Sequence, residues 1–177
     1  MFRHLPNALT IFRILLIPVF LHLIFRGSFY GALAIFAVAG ATDGLDGYIA
    51  RRWSLQSELG ANLDPLADKL LLTSAFVSLT YMGLMDLWLC VPVIIRDAVI
   101  LAGVLALRTT GRKVRIAPTI PSKATTVLQI STVLFAMLFP ENRPALFMPL
   151  AAVTLLFTVY SGFDYAYREI RIQKKTG

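Results

Sequence analysis

Apolar residues run in six long blocks, at about 8–25, 29–50, 61–82, 87–107, 121–139 and 145–167, separated by short stretches carrying glycine, proline and charge. Each block is close to the ~20 residues that an α-helix needs to cross a hydrocarbon core roughly 30 Å thick. None alternates apolar with polar at period two, and a membrane strand would be about half as long, so the pattern predicts helices and argues against a β-barrel. The expected fold is an all-α integral membrane protein of six transmembrane helices in a single domain over 1–177. The opening stretch MFRHLPNALTIFRILLIPVFLHLIF has the look of a signal peptide, but it lacks an A-x-A-like cleavage site and further spans follow it. It is read as the first span.

Composition agrees with this layout. Of 177 residues, 57% are hydrophobic and 15% charged, which leaves no room for a sizeable soluble domain. The one cysteine, Cys90, cannot form an internal disulfide and has no metal-ligand spacing around it, so it is expected in the core. No internal repeat is apparent, and an inverted-repeat transporter gains no support.

The basic residues set the orientation, because short cytoplasmic loops carry the excess of lysine and arginine. Arg3, Arg51, Arg52, Arg108, Arg112, Lys113, Arg115, Arg168, Arg171, Lys174 and Lys175 fall on one side of the six blocks, against Arg26 and Arg143 on the other. Both termini are therefore expected in the cytoplasm. The net charge of +7 is spread over loops and tails, where it suits anionic headgroups of a lipid bilayer and not a nucleic acid.

Against that background, residues 43–68 are out of place. They read DGLDGYIARRWSLQSELGANLDPLAD, with four aspartates between two apolar blocks. From Asp43 to Arg51 a helix rises roughly 12 Å, which puts Asp43 below the cytoplasmic headgroups. Asp43, Asp46, Gly47 and Ala50 share one helical face by i, i+3, i+4, i+7 spacing, and Gly60, Asp64 and Asp68 share another by i, i+4, i+8. Two short-linked antiparallel helices can bring the four carboxylates together. Asp64 before Pro65 could also be a plain helix cap, and Asp46 with Arg51 a plain ion pair. Four carboxylates at membrane depth would nonetheless cost roughly 10 kcal/mol if nothing neutralised them, so stability is not their purpose.

Donors that are all oxygen select hard cations such as Mg²⁺, with Mn²⁺ or Ca²⁺ as replacements, and four carboxylates suffice for two ions. Two such ions clamp a diphosphate and stabilise the attacking and leaving oxygens of an in-line displacement. Gly47 and Gly60, without side chains, let a bulky group approach the backbone, and Arg51 one turn away can reach a phosphate with its planar fork.

The spacing D-x2-D-G-x2-A-R-x8-G-x3-D-x3-D, at Asp43, Asp46-Gly47, Ala50-Arg51, Gly60, Asp64 and Asp68, resembles the CDP-alcohol phosphotransferase family without a departure. The resemblance implies a metal-dependent enzyme of phospholipid biosynthesis. It would transfer a phosphatidyl group from CDP-diacylglycerol to an alcohol with release of CMP, in the inner (plasma) membrane with the active site at the cytoplasmic face. It also implies that Asp43, Asp46 and Asp64 hold one Mg²⁺ (or Mn²⁺), that Asp43, Asp64 and Asp68 hold a second, and that Asp68 is the catalytic base. Asn7, Gly47, Arg51, Ser57 and Gly60 fall where the family contacts the donor, although Asn7 could equally be a helix cap. A homodimer is implied as well. The apolar spans supply the dry surroundings in which such charges act strongly.

The acceptor is read from basic residues outside the signature. Arg96 lies mid-block in LCVPVIIRDAVIL and Lys123 opens the fifth block, and ionisable residues at such depth are functional by default. Arg96 next to Asp97 could also be a structural ion pair, but both cations are expected to bind a phosphate of the acceptor, which favours an anionic alcohol. Arg96-Asp97 and the run Ala-Pro-Thr-x-x-Ser-Lys ending at Lys123 resemble the family's cardiolipin synthases, whose acceptor is phosphatidylglycerol. The alternative is glycerol 3-phosphate, as in the phosphatidylglycerophosphate synthases, whose usual second lysine after Lys123 is missing here. A prenyltransferase would carry two separated Asp-rich motifs. A cation channel or carrier would need acids ringing a pore, whereas the last three blocks hold only Asp97 and Asp164.

Overall fold

The computed structural model describes the backbone of residues 5–53, 58–109, 120–142 and 144–176, and the side chains of residues 10–42, 66–103, 120–142 and 144–167 within them. Among the described residues there are six helices and no strands: α1 (Leu5–Phe25), α2 (Phe29–Trp53), α3 (Glu58–Tyr81), α4 (Leu87–Thr109), α5 (Ile120–Leu138) and α6 (Phe147–Thr176). Each matches one apolar block. The helices at the charged ends outrun their blocks, α2 to Trp53 and α6 to Thr176. Runs such as Arg168-Glu169-Ile170-Arg171 are strong helix formers although they are not apolar, so the helix continues where hydropathy stops. α3 begins at Glu58, which rules out Asp64 as its N-cap.

The chain divides into two compact units, Met1–Met85 with Val133–Asn142, and Asp86–Thr132 with Arg143–Gly177. In the first, α1 packs against both α2 and α3. Its buried face carries Thr10, Arg13, Phe20 and Ile24, at spacings of three, seven and four residues that keep one stripe inward. α2 answers with Ala32, Phe36 and Ala39, and α3 with Ala67, Leu71, Leu72, Ala75, Phe76 and Leu79. Phe20 meets Phe36 with ring centroids 5.9 Å apart, and Phe25 meets Tyr81 edge-on at 5.8 Å.

Two tight turns end α1 and α3 in the same way. Gly27 and Gly83 both have φ of 73°, and the following amides, Ser28 and Leu84, donate back to Leu23 and Leu79 at 2.9 and 2.8 Å. This is the Schellman arrangement, which needs a left-handed residue that only glycine adopts without strain. The carbonyls of Ser28 and Asp86, both favoured N-cap types, then accept the first bonds of α2 and α4.

In the second unit α4 packs against α6. Cys90 is buried here with Leu89 and Val93, as a core residue. A Cβ on Gly103 would overlap the ring of Tyr165, so this glycine is what lets α4 and α6 approach. The inward edge of α6 repeats at Phe147, Ala151, Thr154, Thr158 and Ser161. Its hydroxyls are satisfied locally: Thr154 donates to Leu150 at 2.8 Å, Thr158 to Thr154 at 2.7 Å and Ser161 to Thr158 at 3.2 Å. Thr132 of α5 meets Thr154 hydroxyl to hydroxyl at 2.8 Å, and the Thr125 hydroxyl lies 3.0 Å from the Phe157 carbonyl.

The outward faces are apolar too. Ile11, Leu15, Val19 and Phe25 of α1 and Leu156, Tyr160 and Phe163 of α6 are exposed, a density that water does not tolerate well. Among the described residues, Phe147–Tyr167 is long and apolar enough to cross a membrane, and little of it is buried inside the protein. Within the described side chains, Thr10–Phe25 of α1 and Phe29–Thr42 of α2 are shorter apolar stretches.

Candidate functional site

The acid-rich segment divides between two helices that both pack on α1. Asp43, Asp46, Gly47 and Arg51 lie in the last part of α2, Gly60, Asp64 and Asp68 in the first part of α3, and Asn7 in the first turn of α1. The side chains of Asn7, Asp43, Asp46, Arg51 and Asp64 and the surroundings of Gly47 and Gly60 lie outside the described residues, as does Ser57 altogether. Among the described residues no cluster of three or more metal-ligating side chains occurs; Asp68 is the member of the aspartate set whose surroundings are described.

Asp68 stands one turn beyond Asp64, flanked by the fully buried Ala67. Its carboxylate accepts a hydrogen bond from the guanidinium of Arg13, a residue of α1 that sequence reasoning passed over. The two ends of this ion pair differ in setting. The Arg13 side chain is 1% exposed, whereas that of Asp68 is 45% exposed. A charge-assisted bond of this kind holds a carboxylate more firmly than a neutral donor would. The available signal was periodicity: Arg13 lies three residues from Thr10 on the buried stripe of α1, an odd place for a charge unless something is paired with it.

The second cluster centres on Arg96 in α4, which is 5% exposed. Its guanidinium is engaged on three sides: Nη1 donates to Asp97 Oδ1 at 2.7 Å, Nη2 to Ser122 Oγ at 2.7 Å and Nε to Ser161 Oγ at 3.0 Å. One arginine thereby ties α4 to the start of α5 and to α6. Gly162 of α6 lies beside it, the Arg96 Cγ standing in ordinary contact distance, 3.5 Å, of where a Cβ would be. Lys123, next to Ser122 in the first turn of α5, is exposed. The structure therefore brings Arg96 to the residue beside Lys123, through Ser122, and gives the two cations different characters, one enclosed and one open.

Gln129 is a further polar residue that sequence reasoning did not single out. It is fully buried on the face of α5 that carries Thr125 and Thr132, and neither its amide oxygen nor its nitrogen has a hydrogen-bond partner among the described residues.

Comparison with known proteins is consistent over nearly the whole chain. Residues 3–160 match the family described as CDP-alcohol phosphatidyltransferase. The chain is 35% identical to a cardiolipin synthase (CMP-forming) of Homo sapiens, with 96% of this chain aligned. It spans 64% of that relative's length. It is 33% identical to a probable phosphatidylglycerophosphate synthase of Mycobacterium tuberculosis, covering 95% of this chain and 82% of the relative. It is also 33% identical to a CDP-diacylglycerol–glycerol-3-phosphate 3-phosphatidyltransferase of Bacillus subtilis, covering 92% of this chain and 93% of the relative.

Proposed function

The chain belongs to the CDP-alcohol phosphatidyltransferase family, and from that premise we propose that it transfers the phosphatidyl group of CDP-diacylglycerol to an anionic glycerol-based acceptor, releasing CMP. Phosphatidylglycerol is the first choice of acceptor, in keeping with the cardiolipin synthase relative. Glycerol 3-phosphate is the second reading, favoured by the fuller coverage of the Bacillus subtilis relative.

The observation that carries the reading is Asp68: a carboxylate at the last position of the acidic signature, gripped by the buried Arg13 and 45% exposed. Asp68 takes the proton of the acceptor hydroxyl, whose oxygen attacks the phosphorus bearing the diacylglycerol. The bond from that phosphorus to the bridging oxygen breaks, and CMP leaves. A general base has to lie within about 3 Å of that proton, and a half-exposed carboxylate can be approached to that distance.

The donor set of Asp43, Asp46, Asp64 and Asp68 is all oxygen and fits two Mg²⁺ or Mn²⁺ ions. When bound, such ions neutralise the diphosphate and the charge that develops on it. Gly47, Gly60, Arg51, Ser57 and Asn7 accommodate the nucleotide and diphosphate. Lys123 offers its exposed ammonium to the acceptor phosphate. Arg96 holds the start of α5 through Ser122, and a phosphate arriving there would take over that hydroxyl's place on Nη2.

The protein acts as a homodimer in the inner membrane, with six spans, both termini in the cytoplasm and the site at the cytoplasmic face. The apolar outward surfaces and the one-sided placement of arginine and lysine support this topology. The test is a product assay on purified protein given CDP-diacylglycerol, Mg²⁺, phosphatidylglycerol and glycerol 3-phosphate together. Cardiolipin with CMP is the expected result, and EDTA abolishes both. A sole product of phosphatidylglycerophosphate moves the activity to the second reading, and CMP release without any acceptor refutes both. Asp68→Asn should fold and lose turnover by about 100-fold or more.

A further inference from the structure

Arg13 belongs to none of the signature positions, yet it is the residue of α1 that reaches Asp68, 55 positions away in the chain. A surface ion pair made for stability contributes little, and a buried one seldom repays the desolvation of both charges. This pair is neither. Only the arginine is sealed in the helix packing, and the carboxylate that it holds is half-exposed. Burying a guanidinium to grip a half-exposed acid makes physical sense where the orientation of that acid matters.

We propose that Arg13 is a positioning residue of the transfer reaction: it holds one oxygen of Asp68 from α1 and so fixes the face on which the carboxylate meets the acceptor hydroxyl and a divalent cation. The inference rests on Asp68 being the base. Two consequences have opposite signs. Without the guanidinium, Asp68 swings among rotamers and proton transfer slows. Without its positive charge, the aspartate set binds a cation more tightly, because a competitor for the same carboxylate has gone. A defect of folding alone would weaken both.

The experiment uses the full-length chain in lipid nanodiscs, with Arg13→Gln, Arg13→Lys and Asp68→Asn. Turnover is followed by CMP release, and Mn²⁺ binding by electron paramagnetic resonance of the free ion. Arg13→Gln should lower kcat by about 10- to 100-fold, the range seen when a supporting partner is removed, with KM for CDP-diacylglycerol within about twofold. Its Mn²⁺ dissociation constant should fall by about threefold or more, as loss of a nearby like charge requires. Arg13→Lys keeps the charge and loses the planar fork, so kcat should drop by about tenfold while Mn²⁺ binding stays near wild type.

An unchanged kcat in Arg13→Gln overturns the proposal, and so does a lowered kcat with unchanged or weaker Mn²⁺ binding. Should Arg13→Gln fail to fold, Arg13→Lys decides: a kcat within twofold of wild type overturns the proposal, and about a tenfold loss upholds it. Full turnover in Asp68→Asn would instead remove Asp68 as base. The Mn²⁺ response of Arg13→Gln would still report whether the arginine acts on that carboxylate, so the two failures are distinguishable.

Discussion

Asp97→Ala should strongly destabilise the protein through the second unit. Arg96 and Asp97 have side chains 4% and 5% exposed, and their closest atoms lie 2.7 Å apart. With charge centres ~4 Å apart and an effective dielectric constant of ~20, their attraction is about 4 kcal/mol. Removing the carboxylate leaves the guanidinium enclosed, with Ser122 and Ser161 as neutral partners, and orphaning one member of a buried pair costs about 3–5 kcal/mol. At about 2–4 °C per kcal/mol for a chain of this size, the midpoint of thermal unfolding should fall by about 10 °C. Unfolding in detergent can be followed through the fluorescence of Trp53 and Trp88. The double variant Arg96→Met/Asp97→Ala removes the orphaned charge and forgoes two serine bonds worth about 1 kcal/mol each, so it should recover about half of the loss. A double variant as unstable as Asp97→Ala, or a single variant within about 2 °C of wild type, would refute the account of Arg96 as a desolvated charge held by Asp97.

Other substitutions test separate parts of the structure. Gly103→Ala places a methyl group against the Tyr165 ring, where Cε1 and Cζ lie 3.0 Å from it; thermal unfolding should show a loss of about 1–3 kcal/mol. Gln129→Leu removes a buried amide that has no hydrogen-bond partner among the described residues and should raise stability by about 1 kcal/mol or more, whereas a lower melting temperature would reveal a partner for that amide. Lys123→Ala should raise the acceptor KM by about tenfold and leave kcat within about twofold, as loss of one charge-assisted bond to the acceptor predicts.

The elements were legible because their information is local. A block of ~20 apolar residues declares a helix wherever it packs, and the spacing from Asp43 to Asp68 declares which residues share a helical face within a turn or two. Glycine at 27 and 83 marks helix ends for the same local reason, the left-handed backbone that each turn requires. Helix ends were less legible, as at Trp53 and Thr176, because hydropathy marks where lipid would stop and not where backbone hydrogen bonding does.

By itself, then, the sequence determined six helices and the family. Tertiary structure decided the partnerships. That Arg13 meets Asp68 across 55 positions, and that Arg96 is enclosed by Asp97, Ser122 and Ser161 while Lys123 stays open, depends on the rotation of each helix about its axis. That rotation is settled by how whole faces interdigitate, such as Phe20 against Phe36 or Gly103 against Tyr165, and spacing along one helix does not encode it.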